Sequence, residues 1–194
     1  MIIKCYGETH QYLLFMDIEF SQDKLVQFAG LLWEQIEPET YQLVKSINQY
    51  ITQRICYPFV EYTGITSTFL NENGVTLEDA KHLIFDDFFN EVPLSSVKVI
   101  SHGLRNDRLI LRDNGINLLN VTENGKVTPI DGYCTFEQAK RILKRKTRLK
   151  LTDIAEDASY YLGNAHNAFN DAWAVVAVYC YLKRTEYEHR GTDK

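Results

Sequence analysis

Residues 13–21, LLFMDIEFS, decide how this chain is read. The apolar residues and their β-prone neighbours from Tyr12 to Phe20 read as a strand. Within it Asp17 and Glu19 stand two positions apart, a spacing that puts both side chains on one face of a strand. Two carboxylates on one face repel each other, and burying them is costly unless a cation lies between them. Hard oxygen donors of this kind suit Mg²⁺ or Mn²⁺. Taken alone, a D-x-E pair is as readily two exposed strand charges. The flanking Phe15, Met16, Ile18 and Phe20 argue against full exposure.

Working outward, Leu25 to Glu37 and Tyr41 to Gln49 read as two further strands, which close an antiparallel meander. Gly30 inside the second marks either a bulge or a close backbone approach. Pro58 and Gly64 punctuate a following loop. Thr76, with Asp79 three residues on, opens a helix whose Leu77, Ala80, Ile84 and Phe88 share a face. Val97–Ser101 is a short buried strand, followed by a helix through Leu109 and Leu111 that ends near Asn114-Gly115. Asn124-Gly125 marks a turn. Thr135 is read as the cap of a basic helix, LKLTDIAEDASYYLG as another helix stopped by Gly163, and Ala168 to Arg184 as the last. Strands first, then strands interleaved with helices, predict an α/β fold with helices packed on a mixed sheet. One domain is expected over residues 1–185, with 186–194 as a frayed tail.

Two more acids and a histidine stand out. Asp107 follows Ser101-His102-Gly103 just past a strand end, where sites are often built, although a helix's first turn also stabilises an acid through its dipole. Arg105 and Arg108 flank it. His102 by itself reads as structural rather than catalytic. Asp171 heads an almost wholly apolar helix, beside Ala172, Trp173 and Val175, and needs a counter-charge. His166 lies five residues earlier, about 140° around a continuous helix, so it reaches Asp171 only from an entering loop. Four carboxylates and an imidazole titrating near neutrality are a set able to hold divalent cations and deprotonate a water.

Composition bounds the rest. The 194 residues are 45% hydrophobic and 24% charged, enough for one domain with a sizeable core. Four cysteines, Cys5, Cys56, Cys134 and Cys180, form no CxxC pair, so neither a zinc site nor a disulfide framework is indicated. The N-terminus lacks a secretory pattern, and Ala172 to Leu182 is about half a membrane span. The expected location is the cytoplasm. The net charge is -5, yet residues 140–150, KRILKRKTRLK, carry seven basic side chains and no acid. That run is either a solvated helix face or a surface that attracts phosphate.

The ordered set Asp17-Ile18-Glu19, His102…Asp107 and His166-x-Ala168-x-x-Asp171 resembles the three motifs of the DEDDh 3′–5′ exonucleases of the ribonuclease H-like superfamily. The resemblance covers roughly residues 10–183. Asn167, four before Asp171, departs from the tyrosine variant of that superfamily. Phe20-Ser21-Gln22 after the D-x-E and His102-Gly103 in the second motif are similar to the Eri-type branch, which tilts the expected substrate from DNA toward RNA.

The resemblance implies a five-stranded mixed sheet flanked by helices. It implies two divalent cations, Mg²⁺ or Mn²⁺, held by Asp17, Glu19, Asp107 and Asp171, with His166 as general base. Tyr62-Thr63-Gly64-Ile65-Thr66 resembles the family's segment against the terminal nucleotides, so Thr63, Gly64 and Ile65, with Phe20 and His102, would lie against the 3′ end of single-stranded RNA or DNA. No membrane partner is expected; many members of the family are dimers, and the residues leave a homodimer open. The competing readings are a non-catalytic nucleic-acid-binding or partner-recruiting module of the same fold, and a DNA proofreading exonuclease.

Overall fold

The structure is a computed structural model that describes residues 1–123, 125–163 and 165–192. Three long strands form its centre: β2 (Tyr12–Ser21), β3 (Lys24–Glu37) and β4 (Thr40–Tyr50), preceded by a short β1 (Ile2–Lys4). Two-residue turns join β2 to β3 and β3 to β4, with Gln22 and Glu39 in the left-handed region. The meander is antiparallel, as its alternating sequence predicts. β5 (Val97–Ser101) then runs parallel to β2, and β8 (Asp131–Cys134) parallel to β5. The order β1-β4-β3-β2-β5-β8 gives the expected five-stranded mixed sheet plus one short edge strand, β1. β6 (Asn120–Glu123) and β7 (Lys126–Pro129) form a separate hairpin. Of its expected turn, Gly125 adopts φ +76°, and Asn124 lies outside the described residues.

Both faces of β2 are covered, and its period of two sorts its residues between them. Leu13 and Phe15 pack with Ala29, Leu31 and Trp33 against the last helix, α7 (Ala168–Thr192), through Ala168, Ala172, Val175 and Tyr179. Leu14, Met16 and Ile18 face the other side. There they meet α3 (Leu77–His82), its π-turn continuation Leu83–Phe88, and α4 (Leu104–Asp113) through Ala80, Ile84, Phe88, Leu104 and Leu111. Asp17 and Glu19 continue the odd-numbered series and so face the α7 side. Gly30 marks a close approach rather than a bulge. It pairs in register with Met16 and Ile47, and a Cβ there would lie 3.2 to 3.3 Å from Ile47, Leu14 and Phe88.

Several local expectations are corrected. The segment around Pro58 is helical: α1 (Tyr57–Thr63) takes Pro58 in its first turn, and Gly64 closes it at φ +73°. Pro is tolerated there because its missing N–H would have no partner. α2 (Ser67–Asn73) follows. The basic run is not a helix beyond Ile142, where α5 (Thr135–Ile142) ends; Lys144 and Arg148 adopt left-handed backbone, which cannot propagate a right-handed helix. Cys134, not Thr135, is the capping position of α5. α6 (Leu151–Asp157) stops short of Gly163, with Ser159 at φ +58°. α7 continues past Arg184 to Thr192, so residues 186–192 extend the helix, and Asp193 and Lys194 lie outside the described residues. No described helix is long and apolar enough to cross a membrane.

Candidate active site

The four predicted acids arrive from three elements: Asp17 and Glu19 from β2, Asp107 from the first turn of α4, and Asp171 from the first turn of α7. The adjacency of β2 and β5 brings α4, which begins after β5, next to the β2 acids. Glu19, Asp107 and Asp171 are buried, and Asp17 is partly buried. Glu19, His166 and Asp171 each present a ligand atom, and these atoms lie within 4.8 Å of one another. Asp171 Oδ1 is buried with no hydrogen-bond partner among the described residues, an acceptor left for a cation or a proton.

Burial and mutual repulsion push the carboxyl groups up. Asp17 is raised well above the usual carboxylate range by burial, then by Asp107, Asp171 and Glu19. Glu19 rises to about 8, through burial and then Asp171 and Asp107. Asp171 rises to about 6 by burial, against a backbone hydrogen bond from His166. Asp107 is raised by burial, although the Ser101 hydroxyl donates to its Oδ2 at 2.5 Å. Without a cation, protons must relieve this repulsion; with one, the cation does so. The donor set, carboxylate oxygens with one imidazole, fits Mg²⁺ or Mn²⁺.

His166 lies in the loop before α7, not on it, with φ +66°. Its backbone N–H donates to Asp171 Oδ2 at 3.1 Å, which ties the loop to the helix head. Asn167 Oδ1 accepts from Phe169 and Asn170 N–H and so caps α7. Gln27, the one polar residue in the β3 stretch 25–33, accepts from Ala168 N–H at 3.2 Å and donates to Asn48 at 2.8 Å. These bonds anchor the histidine loop to the sheet. Burial, then the nearby charge of Lys150, lowers the His166 imidazole below its ordinary value, which favours its neutral form. The Tyr62 ring stacks on His166, with centroids 3.7 Å apart and planes tilted by 36°.

The residues expected near a terminal nucleotide divide. Phe20 is exposed just past a register shift at Glu19/Phe20. Thr63 donates to the Phe59 carbonyl at 2.8 Å and accepts from Ile65 N–H at 3.1 Å, bracing Gly64. Ile65 is buried with Val26, Phe59 and Leu70, so its side chain belongs to a small core under the loop. His102 is also braced: Nδ1 lies 2.9 Å from Thr135 Oγ1, and Nε2 donates to the Leu149 carbonyl at 2.9 Å. Gln27 has no role in the sequence reading, and Tyr62 enters it only as the first residue of the Tyr62–Thr66 segment. A lone polar residue in an apolar strand was a signal for the first; for the second there was only its place beside Thr63-Gly64.

No protein-family model matches the chain, and no curated protein matches it. Solved structures do. The nuclease domain of 3′hExo, a DEDDh family member, bound to rAMP superposes with a TM-score of 0.67 at 11% identity, covering 91% of this chain and 94% of that one. The 3′-exonuclease recognising the 3′ end of the histone mRNA stem-loop gives 0.68 at 11% identity, over 92% of this chain and 84% of that one. E. coli exonuclease I in complex with a dT13 oligonucleotide gives 0.70 at 16% identity, over 94% of this chain but only 43% of exonuclease I. At these identities the likeness is one of fold.

Proposed function

We propose that this chain is a metal-dependent 3′–5′ exonuclease of the DEDDh type, acting on single-stranded nucleic acid, RNA before DNA, and releasing nucleoside 5′-monophosphates. One observation carries the reading: Glu19, Asp171 and the His166 imidazole present ligand atoms within 4.8 Å of one another, with Asp17 and Asp107 coupled to them, on a fold shared with 3′-exonucleases. RNA is favoured because the structures that match over most of both chains include the exonuclease recognising histone mRNA, and because of the Phe20 and His102-Gly103 departures.

In this reading Asp17, Glu19, Asp107 and Asp171 hold two divalent cations, Mg²⁺ or Mn²⁺. Such ions supply Lewis-acid stabilisation of the charge that develops on phosphodiester oxygens. The chain's own residues do the rest. The His166 imidazole accepts a proton from the attacking water, and the Asp171 carboxylate, bonded to the His166 backbone, keeps it at the cluster. Ser101 fixes the Asp107 carboxylate. The braced Thr63-Gly64 turn and exposed Phe20 border the place for a 3′ end. Exposed Lys144, Lys146 and Lys150 guide the upstream phosphates; the run's arginines Arg141, Arg145 and Arg148 are paired with Glu186, Asp157 and Glu156.

The test uses 5′-labelled single-stranded RNA and DNA of one sequence with Mg²⁺ or Mn²⁺, and EDTA and Asp17→Ala as controls. The expected result is a ladder shortening from the 3′ end, faster on RNA and lost in both controls. His166→Ala should lower the rate by about 10²–10⁴, the usual contribution of a positioned base. Stoichiometric binding without mononucleotide release would instead identify a non-catalytic binding module.

A further inference from the structure

Tyr62 is 63% exposed, yet its ring is in face contact with His166. Its backbone is firmly held. Tyr62 sits in the last turn of α1, where Phe59 is buried below it and Gly64 N–H donates to the Val60 carbonyl at 2.8 Å. Thr63 closes the same turn through bonds to Phe59 and Ile65. His166 is held less completely. Its backbone adopts φ +66°, uncommon for a residue with a side chain, and is fixed by Asp171 and by the Asn167 and Gln27 contacts that follow. Those bonds anchor the main chain, and none of them is made by the imidazole. Ring packing against Tyr62 supplies the constraint on the imidazole. Burial, then Glu19 and Asp171, raises the Tyr62 phenol, which places it beside the same two carboxylates.

We propose that Tyr62 is a positioning residue: its ring holds the His166 imidazole against the Glu19–Asp171 cluster in the orientation that proton transfer requires. The inference rests on the exonuclease reading for its kinetic consequence, but not for its geometry. An aromatic face suffices for the task, so the hydroxyl is dispensable. Truncating the ring should act through His166 alone, because loss of the constraint leaves the metal-binding carboxylates in place.

Two readouts test this. The first needs no catalysis. In protein with ¹³C-labelled histidine, the His166 ring resonance, assigned with His166→Ala, should lose its ring-current shift in Tyr62→Ala and keep it in Tyr62→Phe. The second is steady-state kinetics on the preferred strand. Tyr62→Ala should lower kcat at least about tenfold, a share of the 10²–10⁴ available from a positioned base, with KM changed less than about threefold. Tyr62→Phe should recover most of kcat, and Tyr62→Ala should add nothing in a His166→Ala background. A rise in KM at constant kcat, or additive losses in the double variant, would overturn the proposal and make Tyr62 a substrate contact. An unmoved ring resonance in Tyr62→Ala would overturn it as well. Absence of any ladder from the wild-type chain would overturn the exonuclease reading, and the resonance would still judge the stacking.

Discussion

Glu8 shows how a single residue can carry stability far from the candidate site. It is 3% exposed and ringed by donors: the Tyr179 hydroxyl, His10 Nδ1 at 2.7 Å, Thr9 N–H at 3.0 Å and Lys98 Nζ at 3.2 Å. Burial pushes its carboxyl up, but the bonds from Tyr179 and His10 and the charge of Lys98 outweigh it and hold the group at about 2. A depressed carboxyl stabilises the fold above its unfolded value near 4.5 and loses that contribution as the pH falls through 2. The contribution is about 3 kcal/mol at pH 6. Urea unfolding of wild type and Glu8→Gln should therefore differ by roughly that amount at pH 6, with the gap narrowing toward pH 2.5. A gap independent of pH would assign the loss to packing instead. None of this was legible in the sequence, because Glu8, Lys98 and Tyr179 are brought together across 171 positions.

At the scale of elements, legibility follows how local the cause is. The β2–β3–β4 meander was readable to within a residue or two because alternation and Gly/Pro punctuation are local. The basic run favours a helix by composition, yet Leu149 is buried, the Leu149 carbonyl holds His102, and Arg145 pairs with Asp157. These tertiary contacts outweigh a propensity worth only tenths of a kcal/mol per residue. Gly30 in β3 is a place where two elements press closely. Gly30→Ala should cost about 1–3 kcal/mol by overpacking against Leu14, Ile47 and Phe88. Thermal melts would check this; a variant as stable as wild type would mean that the π turn Leu83–Phe88 yields without cost.

For the whole molecule, the candidate site is a meeting of distant segments, and its charge is a global load. In the cation-free protein the raised carboxyls of Glu19, at about 8, and Asp171, at about 6, oppose stability as they ionise. Their contribution is intact below the unfolded values near 4 and is lost as the pH rises through 6 and then 8. A bound divalent cation offsets that loss. The Tm in Mn²⁺ or Mg²⁺ should therefore exceed the Tm in EDTA by a margin that widens from pH 5 to pH 8. Equal Tm values at pH 8 would remove the cation-binding reading. This window lies above that of Glu8, so the two effects separate on one pH series.

Taken by itself, the sequence determined that Asp17 and Glu19 share a strand face, that His166 reaches Asp171 only from a loop, and that the three motif segments occur in an order known from one family. These are consequences of backbone repeat and spacing, which act over a few residues. Long-range packing, by contrast, puts α7 over the Asp17 face, has the parallel neighbour β5 deliver Asp107, and lays Tyr62 on His166. It also brought Cys5 and Cys180, 175 positions apart, to 3.9 Å as free thiols, a proximity that the absence of a CxxC spacing could not reveal. The reason is the same in each case: which segments meet is settled by burying the apolar faces of the whole chain at once, and no local repeat encodes that choice.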